Sequence, residues 1–370
     1  MANRRVAVFG PAYLDRVLRV DRPLIDPALG SPIDQSVDGE WRFGANRAIV
    51  VVDRAGYTLE IEVPVDWPGP TGEVQLARPI REGVHGRRAV VGLSWQDDLG
   101  GMGAGYAAAL HGTLCSALGA ESDPTSQVIS QRLARIGVAH HPIRLSDRRA
   151  DWTLLITSGG FGDKLPVGFR GCHAALEPES LDVVAREPCD LRVVASLPNR
   201  VAARVLRVPG AGVRLFAPAM RNMLDRDCSL SSFAASIDIL SCNRMEWETL
   251  EDREEAGWQL SILVVTDGPH GSTVRFTTPA GDAGILRIPA FPRERPPRDT
   301  NRAGEAYAAT LISTLLDQGW NAAGGIVEES LIRMAGERAA AAAALVLDRL
   351  EFGFPSPADV DAALDAGRVA

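Results

Sequence analysis

The sequence predicts an α/β protein with a mostly parallel central sheet and one β-rich insertion near its start. Three observations carry this. Short apolar runs at 191–196, 213–216, 237–241 and 261–266 alternate with helical patterns. Strands joined through helices form crossover units, and these build parallel sheets covered on both faces. The opening run Val6-Ala-Val-Phe-Gly10 has the length and composition of a buried strand closed by glycine. The stretch 21–91 breaks the rhythm, with Pro23, Pro27, Pro32, Pro64, Pro68 and Pro70 and the alternating run Thr58-Leu-Glu-Ile-Glu-Val63. Period-two alternation between turn residues predicts antiparallel strands.

From residue 100 onward the elements follow in order. A helix is expected over about 105–110, a strand over 113–118, and a helix over 124–136 that stops at Gly137. Two helices close the chain, 304–318 and about 328–350; the alanine run 339–344 lies inside the second, where alanine is favourable. The expected organisation is one α/β domain from 1–20 and 92–370, interrupted by the β-rich segment 21–91.

The chain has 370 residues, 46% hydrophobic and 23% charged, enough to bury a sizeable core. Its formal net charge of −8 argues against nucleic acid as a partner, though not against a local basic pocket for a phosphorylated small molecule. Five cysteines, none in a C-x-x-C pair, argue against a disulfide framework or zinc site and favour a reducing cytoplasm. The first ten residues carry no long apolar core of a signal peptide. The longest apolar run, 339–347, falls short of the ~20 residues that span a bilayer, so no membrane association is expected. Lys164 is the only lysine, so a catalytic lysine would have to be this one.

The most informative stretch is Asp299-Thr-Asn-Arg-Ala-Gly-Glu-Ala-Tyr-Ala-Ala-Thr-Leu311. A polar, glycine-containing turn runs into a helix whose first N–H groups lack intrahelical partners and carry the positive end of the dipole. Such an end binds anions. Glu305, in the first turn, would stand beside a bound phosphate as a proton acceptor. A helix start with a dipole-complementing glutamate explains the same residues equally well.

Residues 299–305 resemble the ribokinase (PfkB-type) signature D-T-x-G-A-G-D. Asp299, Thr300, Ala303 and Gly304 match, Arg302 stands where the family has a small residue, and Glu305 stands for the catalytic aspartate. Further matches follow in order. Gly10-Pro-Ala-Tyr-Leu-Asp15 resembles the first-strand G-x-x-x-x-D. Gly100-Gly-Met-Gly-Ala-Gly105 resembles G-G-x-G-A-N, with Gly105 in place of the substrate-binding asparagine. Asn243-Arg-Met-Glu246 matches N-x-x-E, Thr266-Asp-Gly-Pro-His-Gly271 resembles the nucleotide loop T-x-G-x-x-G, and Phe352-Gly-Phe-Pro355 resembles the tail after the adenine-pocket helix.

The resemblance implies a ribokinase-like three-layer α/β/α sandwich with a small β-rich lid, and transfer of phosphate from ATP to a hydroxyl of a sugar, nucleoside or related polyol. It implies Glu305 as base; an anion hole at Arg302, Ala303 and Gly304; Mg²⁺ organised through water by Glu246 with Asn243; and a nucleotide loop at Thr266, Gly268 and Gly271. Asp15, Gly100, Gly101, Gly103 and Gly105 would face the acceptor. Asp299 falls near a monovalent-cation position, and the lid is a candidate homodimer surface. Arg302 has two readings, a helper at the phosphoryl group or a bulk that crowds the turn. The three departures together also suit a catalytically weakened binding or regulatory protein. A dinucleotide-binding oxidoreductase is disfavoured, because 6–9 is not followed by G-x-G-x-x-G. His173 is expected in a surface loop, and the glycine-rich turn 159–163 ahead of Lys164 in a hairpin.

Overall fold

A computed structural model gives the structure of the chain. It describes residues 4–20, 37–38, 40–44, 47–54, 57–64, 80–82, 86–88, 92–158, 164–169, 171–295, 297–322, 326–349 and 351–369. The glycine-rich turn at 159–163 and much of 21–91 lie outside the described residues.

The main sheet has nine strands, in the order His140–Arg144, Thr113–Leu118, Val6–Phe9, Cys189–Ala195, Ala211–Ala217, Ile239–Asn243, Ile262–Thr266, Ser272–Thr277 and Ala283–Ile288. All neighbours pair in parallel up to Ile262–Thr266; the last two strands turn back as antiparallel partners. The sheet is thus mostly parallel, as the sequence pattern implies, with an antiparallel pairing at one edge. A tight connection joins 266 to 272, too short for a crossover helix, so the strand can only reverse.

The sheet is buried on both faces, and its strands show why. Val8, Val193, Leu215 and Ile239 lie in one hydrophobic core; their chain neighbours Phe9, Val194, Phe216 and Leu240 lie in the other. Successive strand side chains point to opposite faces. A fully apolar run therefore feeds two cores at once and reads without alternation. The first core takes in helices Met102–Leu110, Ala303–Asp317 and Glu329–Val346; the second takes in Asn199–Arg207. The result is helix, sheet, helix in three layers.

The alanine run serves packing as well as propensity. Ala339, Ala340, Ala341, Ala342 and Ala344 are all buried. Small side chains let Glu329–Val346 lie close along Ala303–Asp317, its most extensive partner.

Two smaller sheets complete the fold. One has the order Val37–Asp38, Lys164–Phe169, Trp152–Ser158, Tyr13–Val20, Gly92–Gly100. The other is antiparallel throughout, built from Glu40–Gly44, Arg47–Arg54, Tyr57–Pro64, Ile80–Glu82 and Gly86–Arg88. The alternating run at 58–63 therefore forms a strand, as its period predicts. Strand Tyr13–Val20 continues directly from the first strand of the main sheet, and Gly92–Gly100 runs back beside it into helix Met102–Leu110.

The glycines of 100–105 fix that helix against the first strand. Gly101 has φ +93°, a left-handed value that disfavours a side chain. A Cβ on Gly103 would lie 2.4 Å from the carbonyl carbon of Gly10. Backbone cannot give way as a side chain can. Gly103→Ala is therefore expected to cost at least about 2 kcal/mol, near the upper range for overpacking. Urea denaturation would show this as a lower midpoint at unchanged slope.

Candidate functional site

Gly10, Asn243 and Thr266 lie at one edge of the main sheet, at the carboxyl ends of its parallel strands. This is where open α/β sheets bind ligands. Gly10 follows Val6–Phe9, Asn243 ends its strand, and Thr266 ends the adjacent one, paired in register with Asn243.

Helix Ala303–Asp317 presents its N-terminus to this edge. Gly304 is exposed, and a Cβ there would meet nothing within 4 Å. The helix start is thus uncrowded at Gly304, and Ala306 N is already bonded to the Arg302 carbonyl. Tyr307 anchors the helix from below through its hydroxyl, 2.6 Å from Ser272 Oγ on the strand after the turn at 267–271.

Glu305 packs against helix Met102–Leu110. A Cβ on Gly105 would stand 3.1 Å from Glu305 Cγ and 3.4 Å from its Oε1. The longer side chain of Glu305 therefore occupies space that the missing side chain at 105 leaves open. The two departures from the family pattern lie in contact with each other. At the other side of the same helix start, Asp15 covers Gly100: its Oδ2 lies 2.1 Å from where a Cβ would be. Only glycine fits under that carboxylate.

Asn243 and Glu246 form a reciprocal cap on helix Arg244–Thr249. Asn243 Oδ1 accepts from Glu246 N at 2.8 Å, and Glu246 Oε2 accepts from Asn243 N at 2.9 Å. The pair therefore serves as a reciprocal helix cap. It also fixes the glutamate. Burial pushes the Glu246 carboxyl up to about 7, the Asn243 N–H offsets part of this, and the nearby Glu305 charge adds to it. Burial and the charges of Glu305 and Glu246 likewise raise the Tyr106 phenol well above its usual value. Glu246, Glu305 and Tyr106 thus share one electrostatic neighbourhood.

This pair of carboxylates fits a magnesium ion held through water. Oxygen donors suit Mg²⁺, which keeps several waters, and a divalent charge relieves the repulsion between the two carboxylates. Among the described residues no three His, Cys, Asp or Glu side chains cluster as a direct metal site. The titration has a definite sign. Glu246 in the folded chain binds its proton more tightly than an ordinary carboxyl at 4.5. Its contribution to stability therefore falls as pH rises from about 4.5 through about 7 and then levels off. Magnesium favours the ionised form and should shift the midpoint to lower pH. Glu246→Gln should flatten that part of the melting-temperature profile and abolish its magnesium dependence, as scanning calorimetry would record.

The loop after Ile262–Thr266 is a tight turn. Asp267 N donates to the Gly271 carbonyl at 2.7 Å, and Gly268 and Gly271 have φ of +51° and +84°. Gly268 faces open space, whereas a Cβ on Gly271 would lie 2.1 Å from the Ile288 carbonyl oxygen. Gly268 is open to a ligand; Gly271 lets the loop pass under the edge strand.

Arg302 takes neither of the places considered for it. It adopts φ +69° with its own side chain, so the turn forms without glycine, at a cost on the order of 1–3 kcal/mol. Its guanidinium turns inward. Nη2 reaches Asp299 Oδ2 at 3.0 Å and the Arg349 carbonyl at 3.3 Å, and Nη1 reaches Asp98 Oδ2 at 3.3 Å. Asp98 was not foreseen; its only signal in the sequence is the acidic pair ahead of the glycines at 100 and 101.

His173 is corrected more sharply. It is fully buried, not on a surface loop. Its Nδ1 lies 2.7 Å from Asp151 Oδ2, and its ring meets Tyr13 edge-on at 5.6 Å. Asp151 also accepts from the backbone of Gly171 and His173. The histidine closes the turn at 171–173 onto the strands, a packing duty. A groove of about 720 Å³ opens at the far ends of helices Met102–Leu110 and Ala303–Asp317, among His111, Thr310, Gln318 and Phe354, and it is lined too by Phe352, whose ring lies against Arg302. Among the described residues no helix is long and apolar enough to cross a membrane.

A three-layer parallel-sheet core, with small β-sheets beside the strand ends and an open helix N-terminus at them, defines the ribokinase-like fold. The family model for pfkB family carbohydrate kinases matches residues 88–359, and the chain belongs to that family. Solved structures agree in fold. The ribokinase of Thermotoga maritima superposes with a TM-score of 0.65 at 16% identity, covering 98% of this chain and 99% of that one. The ribokinase of Giardia lamblia gives 0.66 at 16% identity, over 98% and 100%. A Burkholderia thailandensis nucleoside kinase, solved in complex with inosine, gives 0.63 at 16% identity, over 98% and 97%. No curated protein matches the sequence.

Proposed function

We propose that the chain is an ATP-dependent phosphotransferase acting on a hydroxyl of a sugar, nucleoside or related small polyol. One observation carries the reading: a carboxylate, Glu305, stands in the first turn of a helix whose N-terminus is open at Gly304 and faces the strand ends.

In this mechanism the acceptor lies over Asp15 and the glycines at 100, 101, 103 and 105. Asp15 accepts hydrogen bonds from its hydroxyls. Glu305 accepts the proton of the attacking hydroxyl as the oxygen approaches phosphorus. The backbone N–H groups at 302–304 receive the charge that builds on the phosphoryl oxygens, fixed dipoles that need no reorganisation. Asn243 and Thr266, side by side on adjacent strand ends, and the loop with Gly268 and Gly271 hold the nucleotide. Magnesium, when bound, neutralises the phosphates, with Glu246 holding its water shell. The β-rich segment 21–91 serves as the lid over the acceptor and as the surface through which two copies pair.

The test is ADP release by the purified chain with ATP and Mg²⁺ across a panel of sugars and nucleosides. Release that depends on one acceptor supports the reading; none across the panel contradicts it. The second reading, a weakened binding protein, draws on the contact between Gly105 and Glu305. It expects nucleotide or sugar binding by calorimetry with no turnover.

A further inference from the structure

The resemblance places a monovalent metal ion near Asp299. The residues present do not fit one. Both carboxylate oxygens of Asp299 are engaged, Oδ1 by Asn301 N at 2.8 Å and Oδ2 by Arg302 Nη2 at 3.0 Å. The same Nη2 takes the Arg349 carbonyl at 3.3 Å, and Nη1 takes Asp98 at 3.3 Å. The ring of Phe352 lies against the guanidinium, 5.7 Å from its carbon to the centroid, and the side chain is only 8% exposed. Arg132 approaches Asp98 from the other side at 3.9 Å. Two arginines and two aspartates balance locally. A metal ion drawn to Asp299 would share its carboxylate with a guanidinium that never loses its charge, and would be repelled.

We infer that Arg302 is the chain's own resident cation, doing with an attached guanidinium what a bound alkali ion would do at Asp299. Three observations support this. The site is assembled from three separate segments: strand Gly92–Gly100, the turn at 299–302, and the residues just past helix Glu329–Val346. The planar fork meets each of them at hydrogen-bonding distance, as a spherical ammonium could not. And the residue holds a left-handed φ of +69° that only a well-anchored side chain sustains. Arg302 is thus a positioning residue. It keeps the helix N-terminus in place and ties it to the strand that leads in from the small sheet.

The inference builds on the assignment of 302–305 as the phosphoryl turn, but its test does not need turnover. The full chain is melted in potassium, sodium and choline chloride at equal ionic strength. The wild type is expected to melt within about 1 °C in all three. Arg302→Ala is expected to melt lower in choline, by at least about 4 °C, and to regain part of the loss in potassium or sodium. A wild type that melts more than about 2 °C higher in an alkali salt overturns the inference. So does an Arg302→Ala variant that melts like the wild type in choline. A variant that loses stability without any alkali response reduces Arg302 to a packing residue and also counts against it. ADP release in potassium against choline, measured in parallel, reads the kinase itself. A chain that turns nothing over but melts as described leaves the inference standing and sinks only the kinase reading.

Discussion

Glu305→Gln is expected to lower kcat about 10³-fold, within the range for loss of a general base, with little change in KM for ATP. The amide keeps the shape of the side chain and its contact with Gly105, so packing should survive. The lost charge near a helix N-terminus costs roughly 0.3–1 kcal/mol. The same substitution removes a charge that raises Glu246, whose titration near 7 should therefore move down. A variant with near wild-type activity would mean that the proton leaves by another route.

The second large effect is a coupled one. Gly105→Asn places a Cβ 3.1 Å from Glu305 Cγ, tight enough that the Glu305 side chain must give way by a few tenths of an ångström. The rest of the amide side chain adds bulk beside the carboxylate, and a shift that reaches the order of 1 Å at a reacting group costs about 10²-fold. Glu305→Asp alone should cost about as much, because the shorter acid withdraws from the acceptor and leaves a gap beside Gly105. Together the two substitutions exchange volume across the contact. The double variant should be faster than either single one, a strong departure from additivity of the kind seen for touching residues. It should also shift acceptor preference, since an amide then faces the acceptor. Losses that simply add would show that Gly105 and Glu305 do not share this space.

Much of the fold was legible because its signals are local. Val6–Phe9 and the four later parallel strands are apolar runs that feed two cores, and their ends match within two residues. The helix that carries Glu305 was placed within one residue by its turn and its apolar stripe. The start of Met102–Leu110 lies three residues before the expected one: glycine at 103 and 105 lowers helix propensity, and only the packing of Gly103 on Gly10 and of Gly105 against Glu305 explains their presence. The antiparallel edge strands were missed because nothing in a strand's own pattern names its partner.

The site divides in the same way. Asn243, Glu246, Thr266 and the 299–305 turn could be assembled from motif order. The fate of Arg302 could not. Its partners Asp98 and the Arg349 carbonyl are 204 and 47 residues away in the chain, and a long flexible side chain does not announce its direction. The contact of Gly105 with Glu305 is equally non-local; two departures noted separately in the sequence become one feature in three dimensions. His173 was misplaced for the related reason that burial of a polar ring depends on a distant carboxylate, Asp151.

The account turns on an anion held at the open end of one helix. A crystal structure of the chain with a non-hydrolysable ATP analogue and Mg²⁺ tests this most directly. The terminal phosphate is expected within hydrogen-bonding distance of the N–H groups at 302–304, with Glu305 facing the acceptor side and the base between the loops at 266–271 and 352–355. A nucleotide whose phosphates lie among His111, Thr310 and Gln318, with the helix end at Gly304 left to water, would contradict it.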